Sequence, residues 1–181
     1  MLKHILIVPL LVVSLQAQMG LSVWGGMTMS TPTGDDMPDD VNGVTAPTFG
    51  VNYAVGPVVA GVMYYTLGFD WTMEDPYFGD SSSETKMNYL GLSVAYPIPV
   101  GPVVIGAGAM YGLPMGGTSK VEMLGMSLEM DLEGSDMDAD LGVVLQVNYP
   151  VTDAIGVGVG MIYGLGEYTH MTLGGGLSYS L

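Results

Sequence analysis

Residues 141–165 read LGVVLQVNYPVTDAIGVGVGMIYGL, and this stretch decides the fold. Both of its halves alternate apolar side chains with glycines or polar residues, which is the period of a β-strand. The second half contains Gly158, Gly160 and Gly164, and each would cost a helix about 1 kcal/mol relative to alanine. The break between the halves begins after Tyr149. The stretch therefore predicts a β-hairpin.

The same hairpin pattern occurs twice more, at residues 49–69 and 90–113. Each turn begins at or just after a tyrosine, and each return strand ends close to another aromatic residue. A repeated hairpin with aromatics at both ends of an apolar band is typical of a barrel that closes in a lipid bilayer. The predicted aromatic girdles comprise Tyr53, Tyr65, Trp71, Tyr96, Tyr111, Tyr149, Tyr163 and Tyr179.

Extending the pattern along the chain predicts eight strands, an even number as in bacterial outer-membrane barrels. They cover residues 20–30, 47–55, 58–71, 85–96, 102–113, 139–149, 155–166 and 169–181. A transmembrane helix within the uncharged run 87–119 is excluded because Pro97, Pro99 and Pro102 would break it. The alternating segment 118–133 is interpreted as a two-stranded ribbon turning near Gly125. An alternative inserts its two arms as further strands of a ten-stranded barrel.

Residues 1–17 resemble a secretory signal peptide, with a basic start, a short apolar core and a cleavage position after Ala17. This leaves residues 18–181 as the barrel domain. The whole sequence has no cysteine, so disulfides cannot stabilise the exported protein. Removing the signal peptide leaves two lysines against eighteen acidic residues, which excludes nucleic acid as a partner.

The predicted connections alternate between short and long, and the acidic residues follow the long ones. The long loops are predicted at 31–46, 72–84 and 114–138, and short periplasmic turns with longer outer loops are usual for such barrels. Fourteen of the eighteen acidic residues lie on the long-loop side. They are Asp35, Asp36, Asp39, Asp40, Glu74, Asp75, Asp80, Glu84, Glu122, Glu129, Asp131, Glu133, Asp136 and Asp138.

The C-terminal stretch 174–181 reads GGGLSYSL and resembles the terminal strand that barrel-insertion machinery recognises, with Leu181 in place of the more usual phenylalanine. Together with the signal peptide and the eight-strand layout, the chain resembles the small outer-membrane β-barrel family of OmpX-like and OmpA-transmembrane-like proteins. The resemblance implies an all-β, eight-stranded, antiparallel up-and-down barrel in the bacterial outer membrane. It also implies outer-membrane lipid and the insertion machinery as partners.

Inside such a barrel, the inward strand positions supply the candidate lumenal residues, which are Trp24, Tyr64, Met110 and His170. Eight-stranded barrels are just wide enough to be filled by side chains, so a plugged lumen is expected. The alternative is a small apolar pocket that binds or transports a hydrophobic molecule.

Three carboxylates at alternate positions, Asp136, Asp138 and Asp140, predict at most low-affinity binding of a divalent cation. Their spacing to a glycine and to position 12 does not match a calcium-binding EF-hand loop. His170 is the one histidine left after signal removal and has no serine partner nearby in the predicted strands, so no enzyme activity and no cofactor are expected. The leading hypothesis is a non-enzymatic barrel with a structural or surface-interaction role through its acidic outer loops, where a cell-surface protein or divalent cations would bind.

Overall fold

The computed structural model describes residues 20–33, 41–75, 79–166 and 169–181, so the predicted signal peptide lies outside the described residues. Nine strands are present in this part of the chain. They are β1 (Leu21–Pro32), β2 (Val41–Val55), β3 (Val58–Asp75), β4 (Gly79–Val100), β5 (Val103–Met123), β6 (Met126–Leu132), β7 (Asp140–Pro150), β8 (Ile155–Gly164) and β9 (His170–Ser180). One 3-10 turn covers Gly134–Asp136. Within the described ranges, no helix is both long and apolar enough to cross a membrane.

Eight of the strands close into an antiparallel barrel. Neighbours in sequence pair with each other, β5 pairs with β7, and β9 closes the ring by pairing with β1. Strand β6 pairs with residues 117–123 of β5, beyond the part of β5 that pairs with β7. The predicted eight-stranded barrel is confirmed, and the ten-stranded alternative is wrong because β6 does not enter the ring.

The strands differ in length in a way the predicted boundaries missed. Strands β7, β8 and β9 have 11, 10 and 11 residues, which is what a tilted strand needs to cross the hydrocarbon core. Strands β3, β4 and β5 have 18, 22 and 21 residues. The additional residues of these three strands extend past the barrel at the end that carries the long connections, here called the outer end. Together with β6, they form a four-stranded sheet, here called the outer sheet. Much of the two predicted loops, 72–84 and 114–138, is therefore strand.

Two-residue turns at the opposite end fix the register of the hairpins. Val55 pairs with Val58 across Gly56-Pro57, and Val100 pairs with Val103 across Gly101-Pro102. Both glycines have positive φ, 58° and 61°, as the first central position of a type II′ turn requires. Side chains therefore alternate between lumen and exterior in a sequence-determined order.

The exterior of the barrel is apolar, as a lipid-facing surface must be. In β7, for example, Leu141, Val143, Leu145 and Val147 are each about 40–50% exposed, and the residues between them are buried. The interior is also largely apolar at its centre, where buried residues from most strands meet. This lumenal core consists of Trp24, Val59, Met63, Tyr65, Leu67, Met87, Tyr89, Met110, Val144 and Ile162.

Candidate functional site

Two of the predicted lumenal residues, Trp24 and Met110, lie in the lumenal core, and Tyr64 does not. Tyr64 is half-buried on the exterior and stacks on Phe49, with ring centroids 5.2 Å apart. The predicted inward and outward positions of β3 were wrong by one residue, because the side chains on both faces of this strand are apolar. The two-residue turn decides between them, since it puts Ala60 opposite the exterior Tyr53.

The same shift moves Tyr65 from the predicted aromatic girdle into the lumen. Tyr65 is fully buried and stacks on Tyr89 at a centroid distance of 5.4 Å. Its hydroxyl donates a 2.6 Å hydrogen bond to Oδ2 of Asp140 on β7. A tyrosine that was expected to contact lipid headgroups is therefore part of a polar contact within the barrel.

His170, on β9, makes a second contact with the carboxylate of Asp140. Its Nε2 lies 3.2 Å from both carboxylate oxygens of Asp140, and its Nδ1 lies 3.0 Å from the hydroxyl of Thr172. Asp140 and His170 are 5% and 4% exposed. Tyr65, Asp140, His170 and Thr172 are called the lumenal chain below. They form a hydrogen-bonded chain within the lumen that joins β3, β7 and β9.

The outer end of the lumen is covered by the connection between β6 and β7. Leu132 and Met137 pack against the lumenal core, and the hydroxyl of Tyr89 donates a 3.3 Å hydrogen bond to the carbonyl oxygen of Asp138. The connection thus bends over the barrel and contributes side chains to its filling. Among the described residues, side chains of the lumenal core, the lumenal chain and this connection fill the outer half of the lumen, in keeping with the width of an eight-stranded barrel.

This geometry separates the three aspartates that were predicted to bind a divalent cation. Asp140 faces the lumen and is occupied by Tyr65 and His170, whereas Asp136 and Asp138 are exposed. Within the described residues, no group of three His, Cys, Asp or Glu side chains could hold a metal ion. The prediction failed because β7 begins at Asp140, and the strand turns this carboxylate inward.

The lumenal chain contains the atoms of a hydroxyl–imidazole–carboxylate arrangement, in the order Thr172, His170 and Asp140. Such an arrangement activates a hydroxyl for nucleophilic attack when substrate can approach it. Thr172 is 1% exposed and is the register partner of Ile162 in the lumenal core, so its hydroxyl is not accessible to solvent. The hydrogen bonds from Tyr65 and His170 stabilise the buried carboxylate of Asp140.

The opposite half of the lumen is polar and lined by neutral side chains. Asn52, Gln146, Asn148 and Ser178 are all at most 4% exposed. Each carries at least one buried polar atom without a hydrogen-bond partner among the described residues. Internal water usually satisfies groups of this kind. Sequence alternation could have identified this layer, since all four lie on the inward set of their strands.

The remaining predicted girdle residues lie on the exterior, with one exception. Tyr53, Tyr96, Tyr111, Tyr149, Tyr163 and Tyr179 are 41–57% exposed. Trp71 is half-buried and belongs to the outer sheet, opposite Ser83. On its other side, Trp71 pairs with Val41 at the outer end of β2.

The outer sheet has two different faces. Thr85 and Ser119 share one face, because their hydroxyls are 3.2 Å apart, and Met130 is the register partner of Ser119. Side chains alternate along each strand, so this face also carries several exposed apolar residues. We call it the Met face, consisting of Met73, Met123, Met126, Leu128 and Met130, which are 47–66% exposed.

The other face of the outer sheet is charged and contains both lysines other than Lys3. Lys86 lies 2.7 Å from Glu84, and Lys120 lies 2.6 Å from Glu122. The hydrogen bond to Glu122 raises the pKa of the Lys120 ammonium. Glu129 is the register partner of Lys120, and Asp131 follows on the same face, so acidic charge is in excess there.

Comparison with solved structures finds the same architecture in proteins with little sequence similarity. Neisserial surface protein A superposes with a TM-score of 0.57 at 16% identity, covering 90% of this chain and 97% of that one. Ail, the attachment invasion locus protein of Yersinia pestis, gives 0.54 at 10% identity with the same two coverages. This chain has the fold of the small outer-membrane β-barrels.

A second structure of Ail, in complex with the heparin analogue sucrose octasulfate, superposes with a TM-score of 0.51 at 11% identity. No protein-family model matches the sequence, and no curated protein matches it. The small-barrel fold accounts for the closed ring, the apolar exterior and the short turns. It leaves the outer sheet and the lumenal chain as the features to which a function can be attached.

Proposed function

We propose that this protein is a non-enzymatic barrel of the bacterial outer membrane that binds a protein partner at the cell surface through its outer sheet. The observation that carries the proposal is the Met face, because five large apolar side chains are held by regular strands outside the membrane band. An exposed apolar patch of this kind usually marks an interaction site. The predicted signal peptide would deliver the chain to the outer membrane.

The chemistry of the outer sheet indicates what kind of partner it fits. The seven residues of β6 alternate between apolar residues and polar ones, which are Ser127, Glu129 and Asp131 on the face opposite the Met face. The whole chain has a formal net charge of −15, so it repels polyanions. The proposed partner therefore presents apolar side chains within a basic surface, unlike the sulfated ligand in the Ail complex.

The edge of β6 offers a second means of contact. Residues 126–132 pair with β5 on one side, and among the described residues no strand pairs with the other side. An unpaired edge of this kind can accept an extended segment of another protein by main-chain hydrogen bonds. Alternating side chains of that segment would then meet the Met face and the acidic face.

Orientation can be tested with the two lysines, since both lie in the outer sheet. Their side chains are 41% and 43% exposed. We expect a membrane-impermeant amine reagent to label Lys86 and Lys120 on intact cells, as measured by peptide mass spectrometry. Labelling that appears only after the outer membrane is permeabilised would place the outer sheet in the periplasm and contradict the proposal.

Partner chemistry can be tested with two synthetic peptides that alternate leucine with either lysine or glutamate. We expect the barrel in lipid nanodiscs to bind the lysine peptide at least about tenfold more tightly, and more weakly as salt is raised, because charge complementarity selects the partner. The L128S/M130S double variant should lose at least about tenfold in affinity, since burial of two apolar side chains is lost.

The matched control for that variant changes the opposite face of the same strand. E129Q/D131N removes charge without altering the Met face, so we expect it to slow association and to reduce the salt dependence. Equal binding of the two peptides, or full binding by L128S/M130S, would contradict the proposed function.

A further inference from the structure

The exposed methionines of this protein are concentrated on the outer sheet and its base. Among the described residues, the methionines classed as exposed are Met73, Met115, Met123, Met126 and Met130. On the lipid-facing band of the barrel, the exposed large apolar residues are leucine, valine, isoleucine, tyrosine and phenylalanine. Four more methionines, Met27, Met29, Met161 and Met171, lie on barrel strands and are half-buried, so the most exposed thioethers are those of the outer sheet and its base.

The Met face would function as an apolar surface with leucine at each position. Leu128 already occupies one of its five positions, and leucine and methionine have similar volumes. Methionine differs from leucine in its thioether, which is readily oxidised. The pairing of Met123 with Met126 across the turn at Leu124 and Gly125 brings two such thioethers to the tip of the sheet.

We propose that the Met face is a modification site, at which peroxide in the external medium oxidises the methionines and thereby releases the surface partner. In this step, the thioether sulfur gains one oxygen atom from hydrogen peroxide and becomes a sulfoxide. The peroxide is reduced to water, so the sulfur loses two electrons and the oxidant accepts them. The inference rests on the proposed function and assigns a form of regulation to the same site.

Oxidation would change the property on which the contact depends. A sulfoxide is polar, so four oxidised side chains would convert the Met face from an apolar into a polar surface. The lumenal methionines Met63, Met87 and Met110 are only 5%, 8% and 1% exposed, so the oxidant has little access to them. The site is therefore placed so that oxidation alters binding without unfolding the protein.

The first measurement does not need a partner. The barrel in nanodiscs is treated with dilute hydrogen peroxide, and the gain of one oxygen atom is followed at each methionine by peptide mass spectrometry. We expect Met73, Met123, Met126 and Met130 to react at least about tenfold faster than Met63 and Met110, since exposure controls oxidation. Equal rates for the two groups would overturn the inference.

The second measurement uses the lysine–leucine peptide as the probe. We expect peroxide to reduce its affinity for the wild-type barrel at least about tenfold, and a methionine sulfoxide reductase to restore it. For the variant with Met73, Met123, Met126 and Met130 all changed to leucine, we expect peroxide to lower the affinity less than about twofold, relative to the same variant before treatment. Met115→Leu changes an exposed methionine outside the Met face and should respond to peroxide as the wild type does. A peroxide response that persists in the leucine variant, or that is lost in Met115→Leu, would overturn the inference.

The two proposals fail in different ways. If untreated wild-type barrel does not bind the peptide, then the proposed function fails. If it binds and the affinity is unchanged after the methionines are shown to be oxidised, then only the oxidative regulation fails.

Discussion

Replacing Asp140 with alanine is expected to lower the free energy of unfolding of the barrel by about 2–6 kcal/mol, at about 1–3 kcal/mol for each of the two buried donors that lose their acceptor. The variant leaves the Tyr65 hydroxyl and the His170 imidazole without the carboxylate that now accepts from both. Neither group can turn to solvent, because Tyr65 is fully buried and His170 is 4% exposed. The measurement is urea unfolding of the barrel refolded in lipid vesicles, followed by heat-modifiable migration on a gel.

The control for this variant is Asp138→Ala, two residues earlier in the chain. Its side chain is exposed, and its carbonyl oxygen, which accepts from Tyr89, is retained in the variant. We expect a change within about 0.5 kcal/mol, as for other surface substitutions. If Asp140→Ala were as stable as Asp138→Ala, the lumenal chain would not hold the barrel together.

The lumenal chain should also behave as one unit. Changing His170 to phenylalanine should lower the free energy of unfolding less in the Asp140→Ala variant than in the wild-type protein, because the carboxylate that His170 contacts is already absent from the variant. A double-mutant cycle measures this difference as a coupling free energy, expected at about 0.5–3 kcal/mol for groups in one hydrogen-bond network.

The fold of this protein could be predicted from its sequence because the barrel depends on patterns of period two and on turns. Residues 141–165 show both, and the structure places strands at Asp140–Pro150 and Ile155–Gly164. The alternation in this repeat is unambiguous because glycine or polar residues fill one set. Where both sets are apolar, as at Val62, Met63 and Tyr64, the pattern predicts a strand without specifying which side faces the lumen.

The lumenal chain could not be predicted because it depends on positions around a closed ring. Asp140 and His170 are on strands that are not neighbours, since β8 lies between them. Their approach is set by the registers of two hairpins together, and an error of one residue in either would turn a side chain to the other face. The only local indication was that Asp140 begins an alternating strand on its inward set.

The outer sheet was predicted in part. The ribbon turning near Gly125 is present, and Leu124 and Gly125 both have positive φ at its tip. Its continuation across β3 and β4 was missed because residues 72–84 are rich in polar and acidic side chains, which favour loops in a sequence pattern. Pairing of β4 with β5 along 81–88 keeps these residues in a strand despite their composition.

Replacing Gly108 with alanine is expected to prevent assembly of the barrel or to lower its free energy of unfolding by at least about 3 kcal/mol, the upper range for overpacking a close contact. Gly108 lies in β5, and a Cβ at this position would overlap the carbonyl oxygen of Val94 on β4. It would also lie 2.6 Å from the Cα of Ala95. These atoms are backbone, so relief requires that β5 and β4 separate where they hydrogen-bond.

Gly25→Ala is the matched control, since it makes the same chemical change in another strand of the same barrel. The nearest heavy atom to a Cβ at Gly25 is the Thr48 carbonyl oxygen at 3.9 Å, an ordinary van der Waals contact. We expect Gly25→Ala to refold as well as wild type or to gain up to about 1 kcal/mol, because alanine loses less backbone entropy in a strand than glycine. Both variants are refolded into lipid vesicles and compared by folded yield and by urea midpoint. Equal folded yields for the two variants would contradict the close approach of β4 and β5 at Gly108. A low folded yield for Gly108→Ala alone would show that this approach requires glycine at position 108.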